Sequence, residues 1–488
     1  MKDRKNWPNK WIFILAAVGS AAGLGNLWRF PFLAYEHGGG AFLLALIIGY
    51  LLIGIPLLTL ETGLGQKTQK AAADAYGSIK KGFRYLGWSA LSICFLVVTY
   101  YMAVLSWGFN YLKESFSLGW GSDTSAFFFD KVLNISKDFS TIGGIENPLL
   151  IGFIFGWIAV YFAAWKGVES ISKVVVWTAT IPFLILFALI LRSVTLPGAS
   201  IGLSAFFIPE WQAMADLQLW LAALSQVFFS LSLAFGIMIA YGSYQPKNSG
   251  VVKNVLRITF GNFLVSLMSG IVVFGTLGYM SLEQGSAFKE VVAGGPSLAF
   301  VAFPKAINLL PSFSVPVAVL FFVTLLTLAI DSAFSLLEAF SSAIKDRLPT
   351  VSTEKIVLAL SSIGALVGLL FITEGGIRFL DTLDHFVVNY GLVIIALIES
   401  LLVGWTKKGE ELKEFIKSKS EVWLGRWWGI SIKYLTPLFL ITLLVTNAYK
   451  EFQAPYEGYP VWGLLTFGVL PLILVPLVSL KLDSLGNS

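Results

Sequence analysis

Residues 19–26 read Gly19-Ser20-Ala21-Ala22-Gly23-Leu24-Gly25-Asn26 and interrupt an apolar run that extends from Trp11 to Phe32. A second interruption later in the chain reads Ser230-Leu231-Ser232-Leu233-Ala234-Phe235-Gly236. Glycine and hydroxyl residues in the middle of a membrane helix favour local unwinding, which is tolerated where the freed backbone groups line a cavity or bind an ion. Small residues also allow two helices to pack closely, so each segment alone supports either interpretation.

The composition indicates that the chain uses lipid as its solvent. Of its 488 residues, 56% are hydrophobic and 13% are charged, which leaves more apolar surface than a soluble core could bury. Runs of the roughly 20 apolar residues that a helix needs to cross a bilayer recur along the whole chain. The alternating segments of about 10 residues that mark an outer-membrane barrel are not found. We therefore predict an all-α polytopic membrane protein.

The apolar runs divide into twelve predicted spans, numbered one to twelve in chain order. Their approximate ranges are 11–34, 40–65, 86–114, 148–165, 171–192, 217–242, 251–281, 313–345, 355–372, 378–405, 430–449 and 459–480. Lys and Arg are concentrated in the loops on the side of the amino terminus, whereas the longest opposite loop, 115–147, is richer in Asp and Glu. The positive-inside rule then predicts a multi-pass protein of the plasma (inner) membrane with both termini in the cytoplasm.

The two interruptions occupy related positions. They fall in spans one and six, the first helices of two five-helix halves, as expected of an inverted-repeat transporter. We predict a 5+5 transport core over residues 1–405, with helices one to five at about 11–192 and helices six to ten at about 217–405. Residues 406–488 are predicted to hold helices eleven and twelve and a cytoplasmic carboxyl terminus.

A specific set of residues surrounds the first interruption: Trp7, the run from Gly19 to Pro31, and Glu36-His37-Gly38-Gly39-Gly40-Ala41-Phe42. Further matching residues are Gly54-Ile55-Pro56, Glu61, Tyr100-Tyr101, residues 226–232, Asn262 and Asp331-Ser332. This set resembles the neurotransmitter:sodium symporter family as far as about residue 405. The resemblance is to the bacterial leucine-transporter type, with some residues that are more like those of the animal members.

The resemblance implies two sodium sites. The first ion is expected to contact Ala21, Asn26, Ser230 and Asn262. The second is expected to contact Gly19, Ala22, Leu328, Asp331 and Ser332. A carboxylate in an otherwise apolar run costs several kcal/mol unless it is paired, and a bound cation is the natural partner for Asp331.

The resemblance also implies an amino-acid substrate. Relatives that transport monoamines have an aspartate at the position of Gly23, so the substrate here is expected to bring its own carboxylate. The implied binding residues are Ser20, Ala21, Gly23, Leu24, Gly25, Val97, Tyr101, Phe229, Ser230, Ser232, Phe235, Ser332 and Leu336. These residues carry no fixed side-chain charge, which favours a neutral substrate side chain. Leucine-sized and aromatic substrates are both left open.

Charged residues near the ends of the spans are expected to form gates. Arg29 and Asp384, which we place at the opening of span ten, are expected to pair directly or through water on the outer side. Arg4 and Asp346 are expected to pair on the cytoplasmic side, with Trp7 packed nearby. By resemblance, Glu61 is expected to brace the unwound part of span six. Ordinary surface pairing is the alternative for both charge pairs.

Chloride is left open as a further ligand. Ser266 stands where the leucine-transporting relative has a glutamate, as in the chloride-dependent members, and the candidate anion ligands are Gln226, Ser230, Asn262 and Ser266. Against a chloride site, Leu46 replaces the tyrosine that those members contribute from span two.

The sequence thus predicts a sodium-coupled symporter that imports a neutral amino acid by alternating access, and not an enzyme. A sodium-independent or proton-coupled carrier of the same fold and a non-transporting amino-acid receptor remain as alternatives. One cysteine and two histidines offer no metal cluster. The expected partners are the amino acid, two Na⁺ ions and the lipid bilayer, without nucleic acid; a homodimer is left open.

Overall fold

The computed structural model describes residues 4–422 and 424–484. Within these ranges the chain is helical and has no strand, and isolated backbone bridges join Gly39 to Pro209 and Ile145 to Thr373. The prediction of an all-α polytopic protein is confirmed.

Ten helices in the described ranges are long and apolar enough to cross a membrane. They are Gly40–Thr68, Lys81–Ser115, Asn147–Ala164, Val168–Val194, Val251–Gln284, Ser314–Arg347, Thr353–Ile372, Gly376–Gly404, Arg426–Gly458 and Val461–Asp483. They correspond to predicted spans two to five and seven to twelve. Spans one and six are each built from two shorter helices.

Span one consists of Lys10–Ala21 and Gly25–Glu36, which are bent by 58° at the break between them. Asn9 begins the first of these helices, because its side-chain oxygen accepts hydrogen bonds from the amides of Trp11 and Ile12 at 2.9 and 3.1 Å. Span six consists of Leu217–Ser230 and Ile237–Ser243, and Gly236 precedes the second helix with a φ of +77°. Both interruptions predicted from the sequence are therefore present as breaks in a helix.

The spans differ in how deeply they are buried. In the most apolar 18-residue window, 78% of the residues of spans three and seven are buried inside the protein, against 28% in span five and 22% in span twelve. Span three packs along span eight, and the first half of span one packs against spans seven and eight. The two breaks therefore lie among the buried spans, and spans five and twelve present apolar side chains outward for lipid.

Candidate substrate and ion site

The two breaks meet at the carbonyl oxygen of Ser20. This oxygen accepts hydrogen bonds from the hydroxyl of Ser232 at 3.1 Å and from the hydroxyl of Ser332 at 3.3 Å. Spans one, six and eight therefore converge on one backbone group. Ser232 and Ala234 have φ values of +52° and +64°, a conformation that residues with side chains rarely adopt and that is typical of functional sites.

Glu61 holds the break of span six from the side of span two. One of its carboxylate oxygens accepts a hydrogen bond from the backbone amide of Ala234 at 2.7 Å. The contact expected between Glu61 and the unwound segment is therefore present. Because Glu61 and Ala234 are fully buried, this bond fixes a backbone group that has lost its helical partner.

The four residues expected at the first sodium site lie together. One terminal atom of the Asn262 side-chain amide group lies 3.3 Å from the carbonyl oxygen of Ala21 and 3.2 Å from the carbonyl oxygen of Ser230. The Asn26 amide nitrogen lies 2.9 Å from the same end of Asn262. Backbone carbonyls and side-chain amides are the neutral, hard oxygen ligands that suit a small cation, so the chemistry of this set fits sodium.

The second expected sodium site contains Asp331, whose carboxylate is fully buried. Neither of its oxygens has a hydrogen-bond partner among the described residues. The nearby Thr178 hydroxyl donates instead to the carbonyl of Val174 at 3.1 Å. A β-carbon added to Gly19 would lie 2.3 Å from an oxygen of Asp331, so the carboxylate lies directly against the backbone of span one. A buried carboxylate without a donor needs a cation or a proton, and it fits the predicted sodium.

Gly25 borders open space where the substrate carboxylate is expected. A β-carbon added at this position would meet no atom within 4 Å. At Gly23, in contrast, an added β-carbon would lie 2.7 Å from the Ser332 hydroxyl and 3.4 Å from the Tyr101 hydroxyl. Tyr101 also lies 3.5 Å from the backbone amide of Leu24. This region therefore has room for a ligand beside Gly25 and none for a side chain on Gly23.

The other residues predicted to line the substrate site come from four spans. Val97 and Tyr101 lie on span three, Phe229 precedes the break of span six, Phe235 lies within that break, and Leu336 lies one turn after Ser332 on span eight. Val97, Phe235 and Leu336 are buried, and Tyr101 and Phe229 are partly buried. The Ser20 hydroxyl is buried and has no hydrogen-bond partner among the described residues.

The predicted outer gate lacks a direct ion pair. Arg29 donates to the side chains of Gln226 at 3.0 Å and Ser225 at 3.2 Å, and its guanidinium lies 4.8 Å from the ring centre of Phe229. Asp384 accepts a hydrogen bond from the Tyr100 hydroxyl instead. Of the two expected arrangements, the direct pair is thus absent here and the water-bridged one stays a prediction.

The position expected for Asp384 was wrong. Span ten begins at Gly376, so Asp384 lies about two turns inside the helix rather than at its opening. The predicted range of 378–405 differs from this start by only two residues, so it already placed Asp384 inside the helix. Gly375 and Gly376 mark the start, because the backbone turns tightly against Thr141 and Phe371 there. The helix therefore carries Asp384 to the depth of Tyr100 on span three.

The predicted inner pair is present. One guanidinium nitrogen of Arg4 lies 2.6 and 2.8 Å from the two carboxylate oxygens of Asp346, and the side chains are only 13% and 15% exposed. Asp346 also accepts from the backbone amide of Ala71 at 2.8 Å. Burial alone would lower the pKa of Arg4, but Tyr244 and Asp346 outweigh burial and hold that pKa above its ordinary value.

Trp7 connects the amino-terminal segment that contains Arg4 to span six through hydrogen bonds. Its indole nitrogen donates to the carbonyl of Tyr241 at 2.9 Å, and its backbone amide donates to the carbonyl of Tyr244 at 3.0 Å. The Tyr244 hydroxyl in turn donates to Glu338 of span eight at 2.6 Å. The amino-terminal segment thus connects the end of span six to span eight.

Sequence reasoning missed Tyr50 of span two. Its hydroxyl lies 2.9 Å from the Asn262 amide and 3.1 Å from the Ser230 hydroxyl, so it joins two of the predicted chloride ligands. The third predicted chloride ligand, Ser266, has its hydroxyl 2.7 Å from the Asn26 amide nitrogen. The fourth is Gln226, whose amide nitrogen has no hydrogen-bond partner among the described residues. The signal was in the sequence: Tyr50 follows Leu46 by four residues and lies on the same face of the helix.

Comparison with known proteins agrees with this geometry. The chain is 38% identical over 99% of its length, and over 98% of the other protein, to an uncharacterized sodium-dependent transporter of Methanocaldococcus jannaschii. It is 34% identical over 94% of its length, and over 83% of the relative, to the human sodium- and chloride-dependent GABA transporter 2. Its residues 4–125 and 120–483 match the sequence profile of the sodium:neurotransmitter symporter family. The chain belongs to the sodium:neurotransmitter symporter family, whose members are sodium-dependent transporters.

Proposed function

We propose that this sodium-dependent transporter imports a neutral amino acid together with two Na⁺ ions. The observation that carries the proposal is the open space beside Gly25. Gly25 follows Leu24, whose backbone amide donates to the Tyr101 hydroxyl. The Tyr101 hydroxyl accepts from the Leu24 amide and keeps its own hydrogen to donate, and the dipole of the helix that begins at Gly25 attracts a carboxylate at its amino-terminal end. The crowding at Gly23 opposes an acidic side chain that would pair with a substrate amine.

The first sodium supports the choice of a carboxylate substrate. Ala21, Asn26, Ser230 and Asn262 offer only neutral oxygens to this ion. A substrate carboxylate beside Gly25 would supply the missing negative charge, and binding of the ion and the substrate would then favour each other. Asp331 supplies the charge at the second site without help from the substrate, so we expect that sodium to bind first.

The relatives named for GABA provide a second candidate substrate. GABA also has a carboxylate and an amine, but they are farther apart than in an α-amino acid. The carboxylate position beside Gly25 suits both molecules, and the distance from there to the carbonyls of the span-six break would select between them. The α-amino acid is preferred because the hydroxyl of Ser232 already bridges span six to the Ser20 carbonyl, which leaves the breaks close together.

We include chloride in the proposal as a third ion. Hydroxyls from Tyr50, Ser230 and Ser266 and amides from Gln226 and Asn262 are neutral donors, and all five side chains are at most 4% exposed. Hydroxyl and amide hydrogens are suitable ligands for a desolvated anion. Tyr50 supplies the hydroxyl whose absence at Leu46 argued against this site. Chloride near the first sodium would offset the positive charge of that ion.

The charged residues on the two sides support an assignment of the inner and outer gates. We propose that the amino terminus is cytoplasmic, which makes the Arg4–Asp346 pair the inner gate and leaves Arg29 and Asp384 on the outer side. With an ion pair on the inner side and no direct pair on the outer side, the protein is suited to receive ligands from outside. Substrate and ions would then favour closure of the outer side before the inner pair opens.

Uptake into reconstituted vesicles tests the proposal. We expect a labelled neutral amino acid to accumulate when Na⁺ is outside, and not when K⁺ replaces it. Unlabelled standard amino acids and GABA, added as competitors, identify the substrate class, and gluconate in place of chloride tests the anion. Saturable binding without accumulation would show a receptor and contradict transport. Competition by monoamines but by no carboxylate-bearing compound would contradict the assigned substrate class.

A further inference from the structure

A cavity of about 180 Å³ lies away from the broken helices, where span ten ends and span eleven begins. Val403 and Gly404 form one wall, residues 409–413 of the connecting helix Lys407–Lys419 form the second, and residues 426–434 form the third. The connecting helix contains five Lys and three Glu residues, so it must lie outside the hydrocarbon. The cavity therefore lies at one surface of the membrane, where headgroups are found.

The lining of the cavity is basic. Lys413, Arg426 and Lys433 reach it, against Glu410 as its only acidic lining residue in the described part of the chain. Lys413 and Lys433 each lie 3.0 Å from a different oxygen of Glu410, and these contacts lower the pKa of Glu410. Arg426 is exposed and has no ion-pair partner within residues 4–422 and 424–484. The lining thus retains a net positive charge that no carboxylate in the described ranges neutralises.

Aromatic and aliphatic side chains border the cavity on the lipid side. Trp405 and Tyr434 are 61% and 56% exposed, and their rings pack edge to face with centres 5.6 Å apart. Tryptophan and tyrosine with this exposure are typical of the membrane–water interface. Below Tyr434, Leu438, Ile441 and Val445 form an exposed stripe at helical spacing on span eleven. A ligand in the cavity can therefore extend acyl chains along this stripe.

We propose that this cavity binds the phosphate of an anionic phospholipid through Arg426, Lys433 and Lys413, with the acyl chains lying on the exposed stripe of span eleven. A zwitterionic lipid also has a phosphate, but its quaternary amine would be repelled by the net charge of the lining. A free inorganic phosphate would use the same cations and gain nothing from the stripe. The site is separate from the substrate and ion site and does not depend on the proposed substrate.

Gly429 provides a way to close the cavity without changing its charge. It lines the cavity within the helix Arg426–Ile430, and a β-carbon added there would meet no atom within 4 Å. Gly429→Leu is therefore expected to fold and to fill the space that the phosphate would occupy. Arg426→Gln removes the unpaired cation, and Lys417→Gln is its matched control, since Lys417 lies on the connecting helix outside the cavity and is 57% exposed.

The experiment uses the full chain, purified in detergent and supplied with phosphatidylglycerol or phosphatidylcholine. Native mass spectrometry counts the retained lipid, and thermal unfolding reports stabilisation. We expect wild type and Lys417→Gln to retain phosphatidylglycerol in preference to phosphatidylcholine, and Arg426→Gln and Gly429→Leu each to lower that preference severalfold. Each variant is first checked for wild-type thermal stability without added lipid, and either one suffices if the other does not fold.

Three outcomes would overturn the proposal. Equal retention of the two lipids by wild type would remove the role of charge. A preference in both cavity variants equal to that of Lys417→Gln would place the lipid elsewhere on the protein. Stabilisation by inorganic phosphate equal to that by phosphatidylglycerol, together with displacement of the lipid by phosphate, would show a site for the soluble anion instead.

Discussion

At Asp331 the protein buries a carboxylate whose oxygens accept no hydrogen bond from the described residues. An uncompensated buried charge costs several kcal/mol, so the folded state benefits from a cation at this point. The backbone of Gly19, against which the carboxylate lies, supplies one of the expected carbonyl ligands. A substitution of Asp331 therefore tests the second sodium site.

Replacement of Asp331 by Asn keeps the shape of the side chain and removes its charge. We expect the sodium concentration that half-saturates thermal stabilisation to rise about tenfold or more, since about 1.4 kcal/mol of lost binding energy is a factor of ten. In sodium-free buffer, the variant is expected to unfold at the same temperature as wild type or higher, because an unpaired buried charge has been removed. Titration of the unfolding temperature with NaCl at constant ionic strength measures both effects. An unchanged sodium dependence would refute the assignment.

Gly25 allows the carboxylate position to be tested separately from the fold. Gly25→Ala adds one methyl group to open space, so we expect wild-type thermal stability but a rise of about tenfold in the substrate concentration for half-maximal uptake. Gly82→Ala is the matched control, because Gly82 also meets no atom within 4 Å but lies in the short turn Lys81–Phe83, away from the breaks. Wild-type uptake by Gly25→Ala would mean that the substrate lies elsewhere.

At the scale of the element, the two broken helices show what the sequence could and could not predict. The helices end at Ala21 and Ser230 and resume at Gly25 and Ile237, so both breaks fall on the two segments that glycine and serine marked, and the second helix of span six begins directly after Gly236. The local sequence is sufficient to predict a break, because unwinding of a helix depends on residues that are adjacent in the chain. The contact between Asp384 and Tyr100 depended instead on how spans ten and three pack, which residues adjacent in the chain do not specify.

The hydroxyl contributed by span two was missed for a related reason. Motif matching compares each residue with the residue at the same position in the family, and position 46, where the chloride-dependent members have a tyrosine, holds a leucine. The structure brings in a tyrosine from the next helical turn, where Tyr50–Gly54 forms a π-helical segment. Such segments shift the direction of the following side chains and are frequent at functional sites. The spacing of four residues between Leu46 and Tyr50 was visible in the sequence, and the structure adds the distances from Tyr50 to Ser230 and Asn262.

Exchange of the two side chains tests the anion site on span two. We expect Tyr50→Leu to reduce the difference in uptake rate between chloride and gluconate media at least severalfold, because one donor to the anion is lost. The double exchange Leu46→Tyr with Tyr50→Leu keeps the composition of the helix and is expected to restore part of that difference. Tyr50→Phe removes the hydroxyl and keeps the ring, so it tests the contribution of the hydroxyl alone. Chloride dependence that survives in all three variants would exclude Tyr50 as a ligand.

On the scale of the whole molecule, hydrogen bonds connect the break of span six to the amino-terminal segment and to span eight. Glu61 joins span two to the break of span six, Tyr244 joins the end of span six to Glu338 of span eight, and Trp7 joins both to the amino terminus. A change of ligand at the breaks can therefore reach the inner surface through packed and hydrogen-bonded residues. Arg4, which pairs with Asp346, lies in the same amino-terminal segment as Trp7, so a change there tests this coupling.

Arg4→Ala is expected to favour the state that is open on the inner side. A partly buried pair of this kind contributes more than an exposed one, so its loss should raise the fraction of open protein about tenfold, or about 1.4 kcal/mol. Because the chain has one cysteine, accessibility can be measured with Ser335→Cys in a Cys94→Ala background. Ser335 is fully buried on span eight beside Asp331, so a hydrophilic maleimide reaches it only through an open path.

Lys5→Ala is the control, since Lys5 pairs with Glu169 on the surface, where such pairs contribute about 0–1 kcal/mol. We expect the labelling rate to rise about tenfold in Arg4→Ala and to stay at the starting value in Lys5→Ala. Sodium should slow labelling in every variant, because an ion at Asp331 favours the closed arrangement that holds it. Equal rates in the two variants would mean that Trp7 and Tyr244 keep the path closed without the ion pair. A sodium-independent rate would separate the gate from the ion site and contradict the coupling on which symport depends.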